Sequence, residues 1–156
     1  MPGLPLTFPT ATLHWRECQK ASERAQLEAF IATTYRRQHG AELSQFAPRL
    51  YGLWDADQLQ AAVGVRLAGD APLYLERYLS EPVECLLARE LGTPVARHAL
   101  AEIANLATLR PGLAVPLIRH LIESLVAEGC GWLTFTATAA VRNGFRRLGL
   151  DVRRLG

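Results

Sequence analysis

The sequence predicts a single mixed α/β domain whose sheet is mostly antiparallel and flanked by helices, and three observations carry that prediction. Its 156 residues suit one domain, which at this length buries roughly 70% of its unfolded surface. Hydrophobic residues make up 49% and charged residues 21%, a balance that excludes disorder and fibrous repeats. The apolar pattern runs strand, helix, two strands, helical region, strand, helix, strand, helix, strand, which is not the alternation of a repeated βαβ array. No internal repeat or low-complexity linker divides residues 1–156.

Each element has its own signal. Thr12 to Arg16 reads as a first strand. Leu27, Phe30, Ile31, Thr34 and Tyr35 then recur at three- and four-residue steps, predicting a helix over about 20–38 that Gly40 stops. Leu50 to Trp54 and Leu59 to Leu67 are apolar runs separated by a polar turn of hairpin length. Pro72 to Leu91 reads as a helical region interrupted at Pro82. A fourth strand is expected from Val95 to Thr108. Leu113, Leu117, Ile118, Leu121, Ile122 and Leu125 form the most regular helical stripe, ending at Gly129 and Gly131. Trp132 to Thr138 is a fifth strand, Ala139 to Leu148 a short helix, and Leu150 to Leu155 a closing strand.

Several function classes are disfavoured early. Cys18, Cys85 and Cys130 show no CxxC spacing, and the four histidines stand at no metal-ligand spacing, so neither a redox motif nor a metal site is expected. The N-terminus lacks the basic and long apolar regions of a signal peptide, and no stretch reaches the roughly 20 apolar residues of a membrane span. The expectation is a cytoplasmic protein with reduced thiols and no transmembrane segment. Residues 110–156 carry seven basic and three acidic side chains, a local excess of +4 suited to an anionic ligand or partner. Nucleic acid is not the expected partner, because no basic stripe with interleaved aromatics accompanies these arginines.

The most informative segment runs from Glu102 to Ala114, where a strand delivers the chain through Thr108, Leu109, Arg110, Pro111 and Gly112 onto a helix. Amides of a first helical turn bind phosphate oxygens, and Gly112 and Ala114 are small enough for close approach. Any strand-to-helix turn can contain a glycine, however, and Pro116 removes one amide.

Arg110 to Ala114, the helix after it, Trp132 to Thr138, and Phe145 to Leu150 resemble the second half of a GNAT acyltransferase. In that superfamily's phosphate-loop spacing, Q/R-x-x-G-x-G/A, Gly112 and Ala114 fit the small positions, but the Q/R position falls on Leu109, with Arg110 one place later. Across nearly the whole chain the sequence is similar to the bacterial thermostable haemolysin family, through Glu102-Ile-Ala-Asn105-Leu-Ala, Phe135-Thr-Ala-Thr138 and Val141-Arg-Asn143-Gly-Phe145-Arg-Arg-Leu-Gly149-Leu. Tyr74 to Glu102 also resembles acyl-homoserine-lactone synthases in layout. Their strand-four Glu-Leu-Ser-Arg-Phe aligns with Glu102-Ile-Ala-Asn105-Leu106, with the arginine replaced by Asn105, so lactone formation itself is not carried over.

These resemblances imply a GNAT-like acyl-CoA N-acyltransferase fold and a site. Glu102 is the implied base for an amine acceptor, and Asn105 would orient a substrate; the structural alternatives are a surface glutamate or an ion pair for Glu102 and a turn residue for Asn105. The strand-four end, Leu106, Ala107 and Thr108, and the turn through Arg110, Gly112, Leu113 and Ala114 would hold the cofactor, with Asn143 reaching its pantetheine arm or phosphates. Many GNAT enzymes protonate the departing thiolate with a tyrosine at the position of Phe145, which cannot donate a proton. The implied substrates are a coenzyme A thioester or acyl-phosphopantetheine, supplied as acyl-CoA or on an acyl carrier protein, and a small-molecule acceptor; homodimerisation stays open. The other readings are a non-catalytic acyl-ligand module and the lytic protein of the family name, although nothing here resembles a pore-forming toxin.

Overall fold

The computed structural model describes residues 13–136 and 139–155. Five strands form one sheet in sequential order: β1 (Leu13–Glu17), β2 (Arg49–Asp55), β3 (Gln58–Leu67), β4 (Leu100–Thr108) and β5 (Trp132–Thr134). The first four pair antiparallel, and β5 runs parallel to β4. The helices are α1 (Ala21–His39), α2 (Val83–Leu91), α3 (Ala114–Ala127) and α4 (Ala139–Arg147). Thr12, Ala137 and Thr138, at the ends of two expected strands, lie outside the described residues.

Strand alternation divides the apolar side chains between two layers. Leu50 and Trp54 of β2 turn to α1, where they meet Leu27, Ile31, Ala62 and Ala107. Tyr51 and Leu53 face the other way, with Val63, Val65 and Ala101, against Leu113, Leu117, Leu121 and Leu125 under α3. Gly52 makes room for the first layer, since a Cβ there would stand 2.6 Å from the Trp54 ring. A third cluster, Ala68, Leu73, Val83, Leu87 and Leu100, seats α2. Full burial of a leucine or isoleucine such as Leu27 or Ile31 contributes roughly 1.5–3 kcal/mol, so the helical stripes fix where α1 and α3 dock.

Three expectations are corrected. The fourth strand begins at Leu100, because a 3-10 turn over Arg97–Ala99 precedes it and Arg97 is tied by its side chain to Ala68, Ala71, Glu76 and Glu84. The fifth strand stops at Thr134, leaving Phe135 and Thr136 outside it. Residues 150–155 are not a strand: Leu155 packs into the α2 cluster, and Arg153 pairs with Asp151 and reaches Glu90. The interrupted helical region becomes a 3-10 turn over Tyr74–Tyr78 followed by α2, with Pro82 at its N-cap.

Candidate active site

Strand β4 changes partners halfway along. Leu100, Ala101 and Glu102 pair with Trp132, Leu133 and Thr134, and beyond that step no described strand runs beside β4 on the β5 side. On its β3 side, Ala62 faces Ala107 while Gly64 faces Ala104, so one residue more lies on β4 than on β3 between those pairs. Such a bulge bends its strand and increases the local twist. Asn105 takes the left-handed conformation, φ 54°, which asparagine tolerates better than most residues. Its Oδ1 accepts from the Ala47 amide at 2.9 Å. A Cβ at Gly64 would stand 2.8 Å from the Ala47 Cβ and 2.9 Å from that same Oδ1, so glycine is what lets the three segments meet. The side-chain carbonyl of Asn105 is thus used internally, and its NH2 is the group that could meet a substrate.

Glu102 stands at the step where β4 and β5 part, and it is 4% exposed. Its Oε1 accepts from Arg66 Nη1 at 3.1 Å and from the Tyr74 amide at 2.9 Å, while Oε2 accepts from the Leu75 amide at 2.9 Å. Arg66 is its cross-strand neighbour on β3. Three of roughly four lone-pair positions on the carboxylate are therefore occupied. The carboxylate clamps the start of the 74–78 turn over the fork.

A second carboxylate, within the turn, ties it to the residues on either side. Glu76 accepts from the amides of Leu73 and Val83 at 2.8 and 3.0 Å and from both terminal nitrogens of Arg97 at 2.8 Å. The Arg97 guanidinium above all, with these amides, holds its carboxyl down to about 2 against the opposing effect of burial. The turn so fixed displays Tyr74 and Tyr78 outward in an edge-to-face pair, with the Arg77 guanidinium 4.7 Å from the Tyr74 ring centroid. Sequence reasoning named Glu102 but missed Arg66, Glu76 and Arg97; an arginine next to last in an apolar strand was the one local signal for Arg66.

The remaining expected residues divide into two groups. Ala107 and Leu113 are buried in the two core layers, so these two can offer a ligand only their backbone, and Leu106 is partly buried on the α3 side. The Thr108 carbonyl accepts from Gln38 Nε2 at 3.2 Å. Arg110 caps a 3-10 turn over Pro111–Leu113 that leads directly into α3 at Ala114. The Leu113 amide donates to the Arg110 carbonyl and the Ala114 amide to the Pro111 carbonyl, so the turn itself uses two of the amides an anion would take. Gly112 is exposed, with open space where a Cβ would be. On α4, Asn143, Arg142, Arg146 and Arg147 are exposed, whereas Phe145 is buried and stacked on Phe135 with centroids 4.3 Å apart. Among the described residues no group of three or more His, Cys, Asp or Glu could hold a metal, and no helix is long and apolar enough to cross a membrane.

The fold is shared with solved structures of low sequence identity. One is FeeM, an N-acyl amino acid synthase from uncultured soil microbes, with a TM-score of 0.70 and 20% identity over 92% of this chain and 80% of that one. Another is the AHL synthase LasI, at 0.64 and 18% over 92% and 80%. A third is a protein of Clostridium acetobutylicum described as a predicted acetyltransferase and solved with acetyl-CoA, at 0.50 and 10% over 90% and 91%. No curated protein sequence matches. The fold is that of the GNAT acyltransferases, as the sequence motifs implied. The thermostable hemolysin family matches residues 18–156, nearly the whole of the sequence, and the chain belongs to that family.

Proposed function

We propose that this protein transfers an acyl group from a thioester, carried by coenzyme A or an acyl carrier protein, to a small-molecule acceptor at the fork between β4 and β5. The observation that carries this reading is the parting of the two strands after Glu102 and Thr134, beside a bulged β4 with no described strand along residues 103–108 on that side. Backbone N–H and C=O groups on an open strand edge are obligatory hydrogen-bonding groups, and an extended ligand with amides of its own, such as pantetheine, can satisfy them as an added strand would. Neighbours of the same fold that act on acyl groups, one of them solved with acetyl-CoA, support the same choice.

In this reading the phosphate end lies toward Gly112 and the exposed face of α4, where Asn143, Arg142, Arg146 and Arg147 supply polar and positive groups. Asn105 offers its NH2 to the acyl carbonyl. Glu102 holds the 74–78 turn with three of its lone-pair positions and takes the acceptor's proton through a bridging water with the fourth. The thiolate leaves without a protein proton donor at residue 145, which the modest basicity of a thiolate, with a thiol pKa near ~8.5, allows.

Thermal unfolding of the purified protein with acetyl-CoA, octanoyl-CoA, free CoA and acyl carrier protein tests the reading. A donor at a hundred times its Kd stabilises the native state by about 2.7 kcal/mol, which for a chain of this size raises Tm by roughly 5–10 °C. Product formation with a panel of amines then separates a transferase from a binding module. No shift with any thioester at millimolar concentration sinks the proposal.

A further inference from the structure

A cavity of about 330 Å³, partly open to solvent, lies along the outer edge of β5, bordered by α2, α3, α4 and the segment 150–155. Its volume falls at the lower end of the roughly 300–1,000 Å³ found for small-molecule sites. Leu87, Ile122, Leu133, Phe145, Val152 and Leu155 give it an apolar lining drawn from every element around it. The charged side chains at its wall, Asp151 and Arg153, pair with each other at 3.0 Å. The Thr134 hydroxyl is turned to the Ala101 carbonyl at 3.5 Å, and burial pushes the Cys130 thiol up, keeping it neutral. A polar ligand would lose its hydration here and find few partners, which costs more than alkyl burial returns. The cavity suits a hydrocarbon chain.

Its position says which one. Thr134 and Phe135 line the cavity, and Thr134 is also the last residue of β5 that pairs with β4, opposite Glu102. The alkyl space therefore begins at the fork. Phe135, the next residue in the lining, stacks on Phe145 with ring centroids 4.3 Å apart. We propose that this cavity is an alkyl site that takes the fatty acyl chain of the donor, making the protein selective for medium or long acyl groups over acetyl. The inference rests on the acyl-transfer reading for the identity of the donor, but the apolar lining stands independently. The segment 150–155, which pairs with no described strand, is then the wall that sets chain length.

The test is calorimetric affinity for acetyl-, butanoyl-, octanoyl- and dodecanoyl-CoA, together with decanoic acid followed by the fluorescence of Trp132, which lines the cavity. Affinity should rise by about fourfold for each methylene that enters the cavity, then level off once it is full. Val126→Trp, at a cavity residue that is 61% exposed and so able to carry a larger ring without repacking the core, should flatten that rise. The wild-type series decides the question even if the variant folds poorly. Length-independent binding of the thioesters overturns the inference and leaves acyl transfer standing. Decanoate binding without thioester binding keeps the alkyl site and removes the transferase reading, and binding of neither removes both.

Discussion

Replacing Glu102 with glutamine separates the two jobs assigned to this residue. Glutamine keeps one carbonyl oxygen, best directed at Arg66 Nη1 and the Tyr74 amide, where two donors converge, and its NH2 is then aimed at the Leu75 amide 2.9 Å from the present Oε2. One buried N–H loses its acceptor, worth about 1–3 kcal/mol, and the bond to Arg66 loses its charge assistance, worth about 1 kcal/mol more. Arg66 is 24% exposed and can turn partly to water, so a total of roughly 3 kcal/mol is expected. That lowers Tm by about 6–12 °C for a chain of this length. Urea denaturation gives the stability change, and amide exchange at Tyr74 and Leu75 shows whether the loss is local. A variant with unchanged Tm and unchanged protection at both amides would refute the clamp. Activity answers the other question: with a donor and acceptor in hand, loss of the base should lower kcat by about 10²–10⁴, and an unaltered kcat/KM would leave Glu102 purely a positioning residue.

Other consequences follow from the same geometry. Gly64→Ala should destabilise by about 1–3 kcal/mol in urea denaturation, because its methyl must displace the Ala47 Cβ, the Asn105 carboxamide or the β4 backbone. Glu76 has its pKa lowered in the folded state, so its stabilisation is fully present above about 4.5 and disappears as pH falls toward about 2. After allowance for solvent screening this amounts to roughly 1–2 kcal/mol. Acid unfolding of Glu76→Gln should accordingly be shallower over that window. Charge reversal of Arg146 and Arg147, both exposed on α4, should raise KM for an acyl carrier protein donor at low salt, with the difference narrowing as salt is added. Phe145→Tyr should fail to increase kcat and should destabilise by about 1–3 kcal/mol, since residue 145 is 2% exposed and packed on Phe135, so the new hydroxyl enters an apolar contact instead of the fork.

The parts of the fold legible in the sequence are those whose burial repeats at a fixed period. The stripe Leu27, Ile31, Thr34 marked α1, and Leu117, Ile118, Leu121, Leu125 marked α3, because each helix lays one face on the sheet. The hairpin was legible from its polar turn, although the turn uses Ala56 in the left-handed region where glycine or asparagine would be the usual signal. Where the pattern misled, a long-range polar tie was the cause. Val95 and Ala99 extend the apolar run of β4, yet Arg97 bends the chain into a 3-10 turn through partners 13 to 29 residues away. Leu150 and Val152 alternate as a strand should, but alternation describes which faces are apolar and says nothing of whether a neighbouring backbone lies in register.

The site shows the same division more sharply. Glu102 drew attention through family pattern, and an ion pair was the structural alternative weighed against a base; the folded chain supplies that ion pair without excluding proton transfer through water. What decides between them lies outside any local window, because the partners of this carboxylate are 36, 28 and 27 residues earlier in the chain. Only the β3–β4 register, with its extra residue on β4 near Asn105, sets Arg66 opposite Glu102 and leaves Gly64 beside Asn105. A shift of one residue would turn Glu102 to the α3 face, into the apolar layer of Val63 and Val65, where an unpaired carboxylate is costly. The bulge therefore links packing to function. By reversing which residues face α1 beyond Gly64, it lets one strand carry a buried carboxylate at the fork and still return Ala107 to the core before the turn that starts α3.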